Sequence, residues 1–156
     1  MSPFYPWVLF VHVAAAAWLA AGVFASSVVR AQGRRSKALA ERAFSARLLW
    51  RLHVVYTLPG LFVSGFLGFY LVSAGGFRFG ETWVMAAALL YLLMFLSTLF
   101  AVTPGLSRQR AAAVRALAPD APEDAAAVLA SKAPGILSDV NALFVLLLIC
   151  LMSVKP

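Results

Sequence analysis

The chain has 156 residues, of which 63% are hydrophobic and only 12% are charged, and its mean hydropathy is +0.89. Soluble globular domains carry about 45–50% apolar and about 25% charged residues, so this composition excludes a water-soluble enzyme and indicates an integral membrane protein. The net charge of +7 suits membrane topology and attraction to anionic lipid, so we expect membrane lipids, and no nucleic acid, as partners.

Four runs of mainly apolar residues are long enough to cross a hydrocarbon core of about 30 Å. They cover about 7–29, 52–73, 82–103 and 135–154. The prediction is an all-α protein with a single membrane domain over 1–156, folded as a four-helix bundle. The first run lacks the preceding basic residues of a signal peptide, so we expect it to be retained as a span.

Basic residues are concentrated in the two longer segments between the spans. Seven lie in 30–51 and four in 104–134, whereas only Arg78 and Lys155 lie elsewhere. Because Lys and Arg in short loops resist translocation, we expect a bacterial inner-membrane protein with both segments cytoplasmic and both termini periplasmic. The segments are expected to carry short amphipathic helices, over 36–50, about 106–117 and about 122–131.

Ionisable side chains inside spans are costly and are therefore candidates for function. His12 lies in the outer half of the first span, where an imidazole needs either a hydrogen bond or a metal such as haem iron or copper. The structural alternative is a neutral histidine bound to a backbone carbonyl or a serine. His53 lies at the opposite depth, about 23 Å away along the membrane normal, which argues against one haem shared by both histidines.

Polar residues at the inner boundary form a second group. Arg51, His53 and Asp139 are predicted to lie at similar depth as an inner polar cluster, and a pair between Asp139 and the other two is geometrically allowed. Asp139 is either an acidic residue of a first helical turn or part of a proton or metal site with Ser138 and Asn141. No set of residues typical of an enzyme or a zinc site can be assembled, which argues against an enzyme. Cys150, the only cysteine, is expected to be a small core residue.

Small residues at every fourth position let membrane helices approach closely. The first two spans have such stripes and are expected to cross in direct contact, through Ala17, Ala21 and Ala25 on one and Gly60, Ser64 and Gly68 on the other. Pro59 is expected to kink the second helix or loosen its hydrogen bonds. Trp18 and Tyr91 sit at mid-depth and are expected to pack inside the bundle.

The segment His12–Gly22 reads HVAAAAWLAAG and resembles the first helix of a loose group of four-helix bacterial membrane proteins. That group includes the copper-resistance protein D-like family and the four-helix bacterial protoporphyrinogen oxidase. Other residues resemble an uncharacterised bacterial family of predicted integral membrane proteins: Tyr56–Gly60, Gly65–Leu71, Gly75, Gly76, Trp83, Pro104 and Leu151–Pro156. In the oxidase the first-helix histidine is implicated in haem binding, so the resemblance implies haem b at His12. The chain lacks that family's Pro-Arg pair after Trp18 and a lysine in the third span.

Two functions are expected. The first is a non-catalytic accessory, stabilising or assembly subunit of a larger respiratory or photosynthetic membrane complex, because the spans hold few polar groups and an aromatic outer surface that suits helix contacts. The alternative is a haem-b-binding membrane redox protein that uses His12.

Overall fold

The computed structural model describes residues 3–118 and 123–154, and the regular secondary structure of this part is all helical. The helices are α1 (Tyr5–Arg35), α2 (Leu39–Leu52), α3 (Leu58–Ala74), α4 (Thr82–Ser97), α5 (Thr103–Arg115), α6 (Glu123–Ala130) and α7 (Ala133–Val154). Four helical stretches are long and apolar enough to cross a membrane: Tyr5–Arg35, Leu39–Ala74, Thr82–Arg115 and Asp124–Val154. The predicted all-α architecture with four long apolar helices is confirmed.

Two of the long helices change their hydrogen bonding midway. The segments His53–Thr57, between α2 and α3, and Thr98–Val102, between α4 and α5, are π-helical. A proline follows each of them, Pro59 and Pro104. Because proline has no N–H, the carbonyl four residues earlier loses its helical partner. The carbonyl of Val55 accepts a hydrogen bond from Trp18 Nε1 instead, at 3.0 Å.

The π-helical segments also make α2 and α5 continuous with the spans that they adjoin. The resulting helices have 36 and 34 residues, more than the roughly 20 that a hydrocarbon core requires. A separate helix was predicted over 106–117. The structure instead has α4 continue through Thr98–Val102 into α5, which covers most of this region. The helix predicted over 122–131 corresponds to α6, and Pro122 lies outside the described residues.

The two ends of the bundle differ in charge. We call the end formed by the last turns of α1 with α2, α5 and α6 the basic end, and the opposite end, which includes the link 75–81, the link end. Around the bundle, α1 packs against α2, α3 and α7, and α7 packs against α4. The spans therefore follow the spatial order 2-1-4-3. Although α3 and α4 are consecutive, they make only slight contact, which leaves a gap between them.

The contact of α1 with α3 and with the preceding π-helical segment is close because two glycines lie in it. A Cβ added to Gly60 would lie 2.7 Å from the backbone nitrogen of Leu19, and one added to Gly22 would lie 2.5 Å from Tyr56 Cβ. Both glycines are buried. Gly60, from the stripe predicted on the second span, therefore lies in this contact.

The predicted stripe on the first span does not form this contact. Ala17 and Ala21 are exposed, and Ala25 is half-buried. The buried face of α1 runs instead through Leu19, Gly22, Val23, Ser26 and Arg30, together with His12. Spacing by four identifies a stripe but not which stripe faces the neighbour, and glycine allows closer approach than alanine.

This arrangement predicts that one of two small substitutions destabilises the protein and that the other does not. We expect Gly60→Ala to lower the free energy of unfolding by about 1–3 kcal/mol, because its methyl group must displace the α1 backbone. The control Ala21→Val adds volume on an exposed face and should change stability little. Thermal unfolding in mild detergent compares the two variants, and equal losses of stability would contradict the contact.

Two residues that were predicted in the interior lie at the surface. Trp18 is 48% exposed and stacks on the ring of Tyr56, with the ring centroids 4.7 Å apart. Cys150 is exposed on α7. Tyr91 is half-buried, and its hydroxyl donates to the Leu61 carbonyl at 2.7 Å. Trp18 stays outside because its indole lies against the π-helical segment and donates to the Val55 carbonyl that Pro59 leaves free.

Candidate functional site

An apolar cleft with a volume of about 360 Å³ opens between α3 and α4 on the link side of the bundle. Ligand sites in proteins typically measure about 300–1,000 Å³ and have mainly apolar walls with a few polar groups. Side chains from α1, α3, α4 and α7 line this cleft, among them His12, Ser64, Trp83, Tyr91, Met94 and Ile149. The slight contact between α3 and α4 leaves the space open.

His12 presents one ring nitrogen to this cleft. Its Nδ1 lies 2.9 Å from the carbonyl oxygen of Ser64. Because a carbonyl can only accept, Nδ1 carries the proton and Nε2 carries the lone pair. No described residue hydrogen-bonds to Nε2, and no fully buried side-chain nitrogen of the described residues lacks a partner. Nε2 therefore reaches the open space of the cleft.

The small residues of α3 make room for this imidazole. A Cβ added to Gly68 would lie 3.1 Å from His12 Cε1, so a larger residue would press on the ring. Ser64, one turn earlier, supplies the carbonyl that orients it. Two residues of the stripe predicted on the second span therefore position the histidine as well as the helix.

A histidine in this state is suited to one metal bond. Metal-bound histidines usually donate their other N–H to a carbonyl or carboxylate, as His12 does. Within residues 3–118 and 123–154, no group of three or more His, Cys, Asp or Glu side chains could hold a metal ion. A haem iron needs only an axial ligand from the protein, which a single imidazole provides.

The link end of the cleft is ordered by Glu81. Its carboxylate accepts hydrogen bonds from the backbone N–H of Arg78, at 3.0 Å, and from Trp83 Nε1, at 2.8 Å. Both hydrogen bonds hold the pKa of Glu81 below its usual value of 4.5, and the one from the Arg78 N–H has the larger effect. Protonation of Glu81 would weaken both bonds, so the stability that they add is lost as the pH falls through the lowered pKa.

A second polar site joins α1 to α7 at the basic end. Arg30 Nη1 donates to Asp139 Oδ1 at 2.5 Å and to the Gly135 carbonyl at 2.9 Å, and Nη2 donates to Ser138 Oγ at 2.8 Å. The Arg30 side chain is only 8% exposed, whereas that of Asp139 is 50% exposed. A Cβ at position 135 would meet Arg30 Cδ at 2.8 Å, so Gly135 gives the guanidinium its space.

The inner polar cluster is thus arranged differently from the prediction. Asp139 pairs with Arg30 and not with Arg51, which is exposed. His53 is buried, and its Nε2 lies 2.9 Å from Thr103 Oγ1. Sequence reasoning assigned Arg30 only to the basic segment. An acidic residue near a span terminus requires a basic partner at the same depth. Arg30, at the inner end of the first span, meets this requirement and could have been identified from it.

Polar side chains from the third and fourth spans extend the contacts of His53. Thr103 Oγ1 donates to the Thr98 carbonyl at 2.7 Å. Asn141 Nδ2 donates to Thr98 Oγ1 at 3.0 Å, and Ser97 Oγ donates to Asn141 Oδ1 at 2.6 Å. Thr98 and Thr103 had not been singled out, although hydroxyl residues beside a proline in a span are a usable signal.

Comparison of the sequence with known protein families identifies the family of this chain. Residues 6–156 match the model of a family described as predicted integral membrane protein (DUF2269). No curated protein and no solved structure matches the chain. The match covers nearly the whole chain, including all four long apolar helices. The chain therefore belongs to the DUF2269 family of predicted integral membrane proteins.

Proposed function

We propose that this protein binds haem b through His12 and acts as a membrane redox protein. The observation that carries the proposal is the orientation of His12, whose Nδ1–H is held by the Ser64 carbonyl while Nε2 faces an apolar cleft. The resemblance of His12–Gly22 to the first helix of the four-helix protoporphyrinogen oxidase supports it. Bound haem supplies one-electron chemistry at its iron.

The residues around the cleft fit an apolar macrocycle. The walls of the cleft are almost entirely apolar, and on its α3 side Gly65 makes room for the Tyr91 hydroxyl and Gly68 for the His12 ring. Haem also carries two propionates, which require a polar boundary. Phe79 lines the cleft beside the link, and its neighbour Arg78 is exposed there. The exposed, positively charged side chain of Arg78 is therefore suited to bind a propionate.

We further propose a bacterial inner-membrane location with the basic end in the cytoplasm and both termini outside, on the charge distribution. The test is labelling of single cysteines introduced into a Cys150→Ser background. In spheroplasts, a membrane-impermeant maleimide should react with Gly80→Cys at the link end and spare Lys37→Cys at the basic end. Detergent permeabilisation should expose both cysteines. The reverse pattern would contradict the proposed orientation.

The second candidate function is an accessory, stabilising or assembly subunit of a larger respiratory or photosynthetic complex. It is favoured by aromatic residues along the outer face of α3, where Phe62, Phe66 and Phe69 are 50%, 77% and 67% exposed. Aromatic side chains are enriched in protein interfaces. Such a stripe suits contact with the helices or pigments of another subunit.

Purification in a gentle detergent from native membranes separates the two functions. The haem proposal predicts a Soret band that corresponds to one haem per chain when the protein elutes alone. The accessory function predicts a colourless chain that elutes with a larger complex, whose subunits mass spectrometry would identify. A colourless chain that elutes alone contradicts both.

A further inference from the structure

A second, much smaller cavity lies inside the bundle, nearer the basic end than the cleft. Its volume is about 10 Å³, which is just enough for one water molecule. Six polar residues from all four spans line it: Ser26, His53, Thr57, Thr98, Ser138 and Asn141. Dry cavities in proteins are typically apolar, whereas polar ones hold water.

The hydrogen bonds of His53 leave one of its nitrogens open to this space. Thr103 Oγ1 gives its proton to the Thr98 carbonyl, so it accepts from His53 Nε2–H at 2.9 Å. His53 Nδ1 therefore carries the lone pair. No described residue donates to Nδ1, although His53 is only 2% exposed. Since no fully buried side-chain nitrogen among the described residues lacks a partner, Nδ1 faces the cavity.

Three hydroxyl groups around the same space have unused protons. Thr57 Oγ1 makes no hydrogen bond with a described residue. Ser138 Oγ accepts from Arg30, and Thr98 Oγ1 accepts from Asn141, but neither hydroxyl has an acceptor among the described residues. One lone pair and three hydroxyl protons thus border a space of one water molecule. A buried water typically makes about three hydrogen bonds to such groups.

We propose that this cavity is a water-binding site, in which one water donates to His53 Nδ1 and accepts from the hydroxyl groups of Ser138 and Thr57. The charges around the site select a neutral occupant. Arg30 binds Ser138 at the edge of the cavity and disfavours a cation, whereas the lone pair of His53 disfavours an anion. Water meets both conditions and supplies both donors and acceptors.

The water would join two polar groups into one chain of hydrogen bonds. Ser138 connects the site to Arg30 and Asp139, and the Asp139 side chain is half exposed at the basic end. Because the Arg30 guanidinium stays protonated, this chain orients the water and fixes the tautomer of His53, and it carries no proton to Asp139. Leu19 and Met94 line both cavities and form an apolar partition between them. The water site is therefore separate from the cleft at His12.

The test is solid-state NMR of the protein in lipid bilayers with ¹⁵N-labelled histidine. The chain has two histidines, and His53→Gln assigns their signals. The expected result is opposite tautomers, with the proton on Nε2 in His53 and on Nδ1 in His12. His53 Nδ1 should also show a cross-peak to water that exchanges with the bulk. A His53 signal without this cross-peak, or with the proton on Nδ1, would overturn the proposal.

Two matched variants locate the water. Val23 lines the cavity and is 3% exposed, whereas Val28 on the same helix is 59% exposed. Val23→Ile adds a methylene to the space and should remove the water cross-peak, while Val28→Ile should keep it. Thr57→Val is the second test, because it removes one hydroxyl at nearly constant volume and should weaken the cross-peak. A cross-peak that survives unchanged in both cavity variants would place the water elsewhere and reject the site.

Discussion

Replacing His12 with alanine is expected to abolish the Soret band of the purified protein. His12 is the one cleft residue whose free imidazole nitrogen faces the open space, so its removal takes away the proposed axial ligand. The structural cost should be small by comparison. Loss of the bond to the Ser64 carbonyl should lower the free energy of unfolding by about 1–3 kcal/mol, which leaves a folded, colourless protein. Absorbance per chain, iron content and gel filtration provide the measurement.

Three further variants distinguish a ligand from a merely packed histidine. Ser64→Ala should retain the band, because the backbone carbonyl and not the hydroxyl orients His12. Gly68→Val should shift or weaken it, because even a Cβ would lie 3.1 Å from the imidazole. His53→Gln should retain it, since His53 lines the other cavity. If His12→Ala kept full haem content, the proposal would be rejected even if the wild-type protein were coloured.

The four spans could be predicted because the apolar length needed to cross a bilayer is a property of each segment alone. The effect of Pro59 was equally local, since a proline removes one donor wherever it stands. Partners between helices depend on the spatial order of the spans, which apolar length does not encode. The order 2-1-4-3 brings α7 beside α1, and this is why Asp139 meets Arg30 and not Arg51.

The rotation of α1 about its axis is the second feature that the sequence did not predict. Ala17, Ala21 and Ala25 have the same spacing as the true contact, which passes through Gly22. In lipid, an exposed alanine costs nothing, so hydropathy does not distinguish the two faces. Polar residues were the better guide, because His12, Ser26 and Arg30 must turn away from lipid. All three lie on the buried face.

The Arg30–Asp139 pair is expected to give an asymmetric stability effect. Asp139→Asn leaves a guanidinium that is 8% exposed without a counter-charge. We expect a loss of about 2–3 kcal/mol, below the roughly 3–5 kcal/mol of a fully buried pair, because Asp139 itself is half exposed. Arg30→Met should cost less, about 1–2 kcal/mol, since the remaining carboxylate can be hydrated. Thermal and denaturant unfolding in detergent measure both losses.

The double variant Arg30→Met/Asp139→Asn tests the cause of this asymmetry. If an unpaired buried charge dominates, the double variant should be more stable than Asp139→Asn alone, because it removes that charge. Arg35→Met is the matched control, since Arg35 is exposed at the end of α1 and its loss should change stability little. Additive losses in the double variant would instead mean that each side chain acts through its own hydrogen bonds. The coupling energy of this cycle therefore decides whether charge pairing or separate hydrogen bonding holds the ends of α1 and α7 together.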